Sequence, residues 1–537
     1  MGFLAPKDLS ANPAPVQVYN WRIYLLAISA AMGSSMFGYD SAFIGGTLSL
    51  PSFQSRFGLA GKQGTELASL RSNIVSTFQA GCFFGVLLCY PTVERLGMKW
   101  TLVLCGLIFN IGAIMQTAAT GQLGLIYAGR ALTGLGVGSS SLVIPVYISE
   151  SSPPAIRGRL IGVFEMILQI SQLPGFWVNY GVNKNMSKTS DSQWRIPFGI
   201  QLVPGVLLMV LMSMQTESPR FLAKKGKWEQ VRKVLSHIRN LPPDHEYIAW
   251  EMDTIRNQLE SEHSEVGTSV VTKLKQIFHS NVKKRLGIGM ALMMFQNLSG
   301  INALNYYSPV IVGSIGFTGT DVGLLATGVF GIVKATGTIV FMLFIIDRFG
   351  RRSAMLIGSA GALFAMYYLG GYSSLSNSFN EKPPRDGGAY IAILMIYIFA
   401  IFYSISWNGI PWIFCAEVFP THLRQVCAVF TTCTQWLFQF VIAYSTPYMI
   451  ADIQYGTFLF FGTSVVCGLI FSYFFLPETK GVTLEDIDIM FGSKGFARQK
   501  RKAMESVLAE RREIVAEEKR VRGEKAVVEN VERTESV

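Results

Sequence analysis

Apolar residues run through this chain in long unbroken blocks, with neither the alternation of a half-buried strand nor the one-sided stripe of a surface helix. A helix needs ~20 such residues to cross a bilayer, and about twelve blocks reach that length. They fall into two sets of six, over 22–215 and 284–476. The stretch between, 216–283, is helix-patterned and rich in Lys, Arg and Glu, which predicts a linker domain of short helices outside the lipid. Residues 1–21 and 477–537 are polar tails, and beyond Gly492 the second mixes charges without a core. The predicted fold class is an all-α membrane protein, twelve transmembrane helices in two six-helix halves joined by a cytosolic helical linker.

Composition sharpens this picture. Only 15% of residues are charged, against about 25% in ordinary soluble chains. The net charge of +11 could suggest nucleic acid, but no such motif is present. Basic loops account for it: Glu94–Lys99, Arg157–Arg159, Asp347–Arg352 and His422–Arg424 alternate along the chain so that all face one side. Positive loops stay in the cytosol, so both tails and the linker are expected there, in a plasma-membrane protein whose surroundings are the lipid bilayer. The five His lie outside the apolar blocks, and the seven Cys show no metal-ligand spacing. No metal, no cofactor and no enzymatic nucleophile–base set is expected. Gly134-x-Gly136-x-Gly138 follows no strand and predicts close helix packing, not a nucleotide loop.

The chain also repeats itself. Glu94-Arg95-Leu96-Gly97 matches Asp347-Arg348-Phe349-Gly350, Glu150 with Arg157 matches Glu417 with Arg424, and Glu217 matches Glu478. Each pair is separated by roughly 260 residues, the pattern of parallel structural repeats with a site between them.

The seventh block is unusually polar for its length. Gln296, Asn297, Asn302, Asn305, Tyr306 and Tyr307 would be costly against lipid and should face protein or a wet cavity. Amides beside aromatic rings suit a neutral ligand with many hydroxyls. Asp40 and Arg130, in the first and fourth blocks, lie at similar depth and can form an ion pair. Separating an acid from its cation changes its hold on a proton, which makes this pair a candidate for proton coupling.

Arg130 to Gly138, Pro145-x-Tyr147-x-x-Glu150, Arg157-Gly158, Glu217-Ser-Pro-Arg220, Gln296 through Pro309, Asp347 to Arg352 and Pro477-Glu-Thr-Lys-Gly481 resemble the sugar porters of the major facilitator superfamily. The likeness covers nearly everything from Trp21 to Asp488, and Gly38-Tyr-Asp-Ser-Ala42 and Gly175-Phe-Trp-Val-Asn-Tyr180 look most like fungal quinate permeases and their sugar-carrying relatives. The resemblance implies alternating access around a central cavity. It makes Gln172, Gln296, Asn297, Asn302, Trp412 and Gln435 substrate contacts, and Asp40 with Arg130 the proton-coupling pair. It also makes Glu94, Arg95, Glu150, Arg157, Glu217, Arg220, Asp347, Arg348, Arg352, Glu417, Arg424 and Glu478 a cytoplasmic charge latch.

Departures from the hexose pattern add Glu165, Asn305 and Lys334 to the expected site, with Tyr306 beside them. Lys334 can pair with Glu165, meet a substrate carboxylate, or snorkel between helices. The expected function is import of a monosaccharide by proton symport, by a protein working as a monomer. The alternatives are quinate or a galacturonate-like sugar acid as substrate, or a nutrient sensor that does not transport.

Overall fold

In the computed structural model, residues 15–153, 156–266, 270–279, 282–317, 319–345, 349–379, 386–420, 423–479, 487, 490–491, 495–507 and 509 are described, and their regular structure is entirely helical. The first half contains α1 (Trp21–Thr47), a short connector α2 (Pro51–Arg56), α3 (Gly64–Leu96), α4 (Met98–Thr117), α5 (Leu123–Ser151), α6 (Arg157–Asn185) and the consecutive α7 (Ser192–Ile200) and α8 (Leu202–Met214). Four helices form the linker: α9 (Pro219–Lys224), α10 (Trp228–Arg239), α11 (Glu246–Val266) and α12 (Val270–His279). The second half follows with α13 (Val282–Leu298), α14 (Ile301–Ser314), α15 (Thr320–Val340) extended by a π turn (Phe341–Ile345), α16 (Arg351–Leu375), α17 (Gly387–Ser404), α18 (Ile410–Val418), α19 (Arg424–Asp452) and α20 (Gly456–Phe475).

Among the described residues, ten helices are long and apolar enough to span a bilayer on composition alone. The two further spans are α1, diluted by Gly, Ser and Asp40, and the amide-rich pair α13/α14. Together they make the expected twelve.

Two blocks that read as continuous apolar runs are broken helices. The seventh span parts at Ser299–Gly300, where Gly300 has φ +91°, a left-handed conformation that a side chain would strain. The tenth parts at 405–409, between α17 and α18. Apolarity sets which residues enter lipid, but it does not register where the backbone turns within it.

Helices of the first half approach closely where glycine allows. A Cβ at Gly134 would overlap the carbonyl oxygen of Phe78, and one at Gly138 that of Cys82. Gly136 faces α4 instead, its Cβ position 2.7 Å from the Cys105 carbonyl oxygen. The glycine triplet is thus a packing surface pressed between α3 and α4. The halves meet chiefly along three seams, α3 with α19, α6 with α15 and α1 with α14.

The linker has its own small core, including Leu222, Val231, Leu235, Ile248 and Met252. It docks on the first half. Arg239, fully buried, pairs with Glu251 (2.6 Å) and donates to the Ser151 carbonyl (2.8 Å) at the end of α5. Asn20 and Arg22 donate to the carbonyls of Ile238 and His237 at 2.8 and 2.9 Å. The bundle end that carries this linker is called the near end below.

The repeated loop motifs build the same local structure twice. Glu217 accepts from the backbone N–H of Met98 (2.9 Å) and Lys99 (3.2 Å), capping α4. Glu478 accepts from the N–H of Arg351 (2.9 Å) and Arg352 (3.0 Å), capping α16. Gly97 and Gly350, at φ +89° and +80°, turn the chain into each helix. A carboxylate at a helix N-terminus satisfies otherwise orphaned donors and meets the positive end of the dipole. Burial pushes the Glu217 carboxyl above the usual carboxylate range, and these N–H donors oppose that shift. Glu150 then accepts from Ser218, as Glu417 does from Thr479 (3.1 Å).

Replacing Gly138 with Leu should destabilise the fold by at least ~1–3 kcal/mol, the usual penalty of overpacking. Thermal unfolding in detergent measures it. Gly124→Ala, whose added Cβ would meet nothing within 4 Å, is the control that should leave the midpoint unchanged.

Candidate functional site

The helix breaks create unsatisfied backbone carbonyls in the middle of the bundle, where no lipid can serve them. Gln296, one turn before the break in the seventh span, donates its Nε2 to the carbonyls of Trp407 (2.7 Å) and Asn408 (3.0 Å) in the break of the tenth. Its Oε1 has no hydrogen-bond partner. One half of this amide therefore splices two broken helices, and the other half is an acceptor left over. From there a chain of amides runs along the seventh and eleventh spans. Asn302 donates to Asn297 (2.7 Å), Asn297 to Gln435 (2.7 Å), Gln435 to Gln439 (3.5 Å) and Gln439 to the Tyr306 hydroxyl (2.6 Å). Tyr306 in turn donates to Gln79 of α3 (3.0 Å) when that amide takes its hydrogen-bonding orientation.

Most of these groups border a cavity of about 40 Å³ between the halves, far less than the ~300–1,000 Å³ of an open ligand pocket. Of the expected substrate residues, Glu165, Gln172, Gln296, Asn297, Asn302, Asn305, Lys334, Trp412 and Gln435 line it. Tyr306 is buried outside the lining and accepts from Gln439, because one step along α14 from Asn305 turns it toward α3. Gln169, Tyr403, Asn408 and Gln439 line the cavity without having been singled out. Gln169 lies four residues after Glu165 and Gln439 four after Gln435, so helical spacing could have found both. Asn408 could be placed only by knowing the break.

Two charges share this cavity. Glu165 Oε1 accepts from Gln169 (2.8 Å) and from Asn408 (2.8 Å), whose Nδ2 also donates to Thr338 (3.1 Å). Lys334 donates to Gln172 (3.0 Å) and Asn305 (3.5 Å). Both are almost fully buried, at 6% and 2% exposure. Snorkelling is excluded for Lys334 in this conformation, and so is a direct ion pair, since no carboxylate oxygen lies within 4.0 Å of its Nζ among the described residues.

Asp40 and Arg130 do form an ion pair, sealed inside the first half with both side chains at 0% exposure. Arg130 Nε also donates to the Ile74 carbonyl (3.2 Å), and its guanidinium lies over the Phe78 ring (4.7 Å). Neither residue lines the cavity, though Ser41, next to Asp40, does.

The cavity is closed at the end away from the linker. There Gly45 packs against the Tyr306 backbone, Asn183 donates to Asp321 (2.6 Å) and Ser72 to the Tyr444 carbonyl (2.9 Å), each contact crossing between halves. Toward the near end the seam is aromatic. Trp436 lies tilted against Phe37 (4.9 Å) and donates to Ser141 (3.2 Å), while Trp412 lies 6.2 Å from Phe164. Trp407 and Trp436 are fully buried packing residues.

The latch residues are spread over the near end. Glu94 and Arg95 are exposed at the end of α3. Arg220 bonds to Gln258, Arg352 to the Tyr473 carbonyl (2.7 Å), and Arg424 to the Phe419 carbonyl (3.4 Å). Glu417 pairs with Arg351 (3.1 Å) of its own half. Arg157 has no ion pair among the described residues, and Asp347 and Arg348 lie outside them. No ion pair between described residues joins the two halves here.

The family described as "Sugar (and other) transporter" matches residues 26–491. The chain is 43% identical to a "Probable quinate permease" of Neosartorya fischeri, over 94% of this chain and 92% of that protein. It is 44% identical to the "Quinate permease" of Emericella nidulans, over 90% and 91%. Among solved structures, the proton:xylose symporter XylE bound to 6-bromo-6-deoxy-D-glucose superposes with a TM-score of 0.73 at 26% identity, covering 88% of this chain and 99% of that one. A partially occluded inward open form of XylE from E. coli gives 0.71 at 25%, covering 86% and 100%.

Gln296→Leu removes the donor to two buried carbonyls, so it should cost ~1–3 kcal/mol of stability as well as affinity. A lowered unfolding midpoint in detergent without substrate is the expected outcome, and an unchanged midpoint would deny the splice.

Proposed function

The chain belongs to the sugar (and other) transporter family of the major facilitator superfamily, and from that premise we propose that it imports a polyhydroxylated monocarboxylate of the quinate class with protons across the plasma membrane. Membership makes it a multi-pass secondary transporter of a sugar or quinate-like solute. The observation that carries the finer reading is Lys334, a buried ammonium in the cavity wall that donates to two amide oxygens and lies 6.0 Å from the centre of the Tyr403 ring. A cation in the membrane interior is expensive and marks a functional contact by default. A substrate carboxylate would replace the Gln172 oxygen with a charge-assisted partner. Ring hydroxyls would use the surrounding amides, beginning with the unpartnered Oε1 atoms of Gln296 and Gln169, and Trp412 would lie against an apolar face of the ring. The permease relatives support the same choice.

The near end, which carries the linker, is the cytosolic side on this reading, and both tails are expected on that side. The closure at the opposite end then keeps the cavity from the outside. Asp40 carries the coupled proton. Because the pair is sealed from water here, it exchanges a proton only when the first half rearranges and parts it from Arg130, which ties protonation to conformation. The near-end charges act as a latch when the cavity faces outward, with Arg157 and Arg424 free to find acids of the opposite half. A neutral monosaccharide is the second reading, favoured by the amide-rich wall and the likeness to XylE.

Uptake in a transporter-deficient host, with xylose, glucose, galacturonate and quinate each with and without a protonophore, tests both. Lys334→Met should reduce quinate uptake at least a hundredfold under the first reading, whereas retained glucose or xylose uptake in that variant favours the second. Asp40→Asn should lose accumulation against a gradient yet keep part of the substrate exchange, and normal accumulation would remove Asp40 from the mechanism.

A further inference from the structure

Glu165 and Lys334 cross the seam between halves in opposite senses. Glu165 projects from α6 of the first half onto Asn408 in the broken tenth span of the second. Lys334 projects from α15 of the second half onto Gln172 of α6. Thr338, one turn beyond Lys334, accepts from the same Asn408 Nδ2 that serves Glu165. The two charges thus share one amide framework and one small cavity, each solvated by neutral groups rather than by the other. The remaining lining groups are amides, hydroxyls and apolar side chains, with the Tyr403 phenol the other titratable one.

The arithmetic of charge follows from this placement. With nothing bound, a carboxylate and an ammonium balance, and the closed cavity is neutral. With substrate bound, its extra carboxylate is offset by the proton on Asp40, which leaves the Arg130 charge over. Without Glu165, the unloaded cavity would carry Lys334 alone, and moving that lone charge through the occluded arrangement is what a low-dielectric interior penalises. We infer that Glu165 is the built-in counter-charge of Lys334, standing in for the substrate's carboxylate so that the unloaded carrier can reorient. This rests on the anionic-substrate reading above. It assigns Glu165 to the return step, with Lys334 the group that meets cargo and Gln169 and Asn408 the amides that hold Glu165 at its post.

The step is visible by comparing two modes of transport in vesicles containing the full chain. Net uptake into vesicles without internal substrate requires the unloaded carrier to return, and exchange of external labelled for internal unlabelled quinate does not. Glu165→Gln keeps the side chain's size and an oxygen for Asn408 but removes the charge. The ratio of net uptake to exchange should fall tenfold or more in this variant, and Glu165→Asp, which keeps the charge, should recover most of it. Equal loss in both modes, or no change in their ratio, overturns the proposal. Should Glu165→Gln not fold, as judged by thermal unfolding, the ratio in Glu165→Asp must still exceed that in Asn408→Ala, which removes the amide that draws Glu165 across the seam; the reverse order overturns it. Lys334→Met distinguishes the two levels. If that variant still transports quinate, the anionic-substrate reading fails. If it does not, and the Glu165→Gln ratio is unchanged, only the counter-charge assignment fails.

Discussion

Inside a bilayer every polar group must find its partner within the protein, because lipid offers none and water is excluded. This constraint explains more of the molecule than any single motif. It turns Arg130 and Asp40 into a pair, wraps Glu165 and Lys334 in amides, and makes the helix breaks possible only where a side chain can take over the freed carbonyls. Gln296 is the plainest case: the break in the tenth span exists because the seventh span supplies a donor to it. The cavity and the stability of its walls are consequently one network. Substrate must bargain with hydrogen bonds that already hold helices together, which suits a carrier whose binding energy is meant to move helices rather than merely to retain a ligand.

Much of the architecture was legible in the sequence for the same reason. Spans announce themselves through length and apolarity, and the near-period repeat of acidic and basic loops shows two parallel halves. The structure gives those loops a job that pattern alone does not express: Glu217 and Glu478 are helix caps, satisfied by backbone N–H groups of their own half.

What stayed hidden was direction and interruption. Tyr306 and Asn305 are neighbours in sequence, yet one turns toward α3 and the other into the cavity, since a helix rotates ~100° per residue at 3.6 residues per turn. Asn408 looked like part of an apolar run, and only the break at 405–409 brings it to Glu165 and Gln169. Lys334 stood out immediately as a charge within a span, but its partner did not, because two amides substitute for the acid that simple pairing would suggest.

The contact of Gly45 with the Tyr306 backbone has a consequence for how the closed end gives way. Gly45 offers no side chain at that point, so parting the two halves there loses van der Waals contact and the bond from the Tyr306 hydroxyl to Gln79. The neighbouring bonds of Asn183 and Ser72 can be handed to water as the gap widens. A door held by bonds that water can replace opens at modest cost. A cycling carrier requires such a door, for a seal much stronger than its replacement by solvent would trap the molecule in one state.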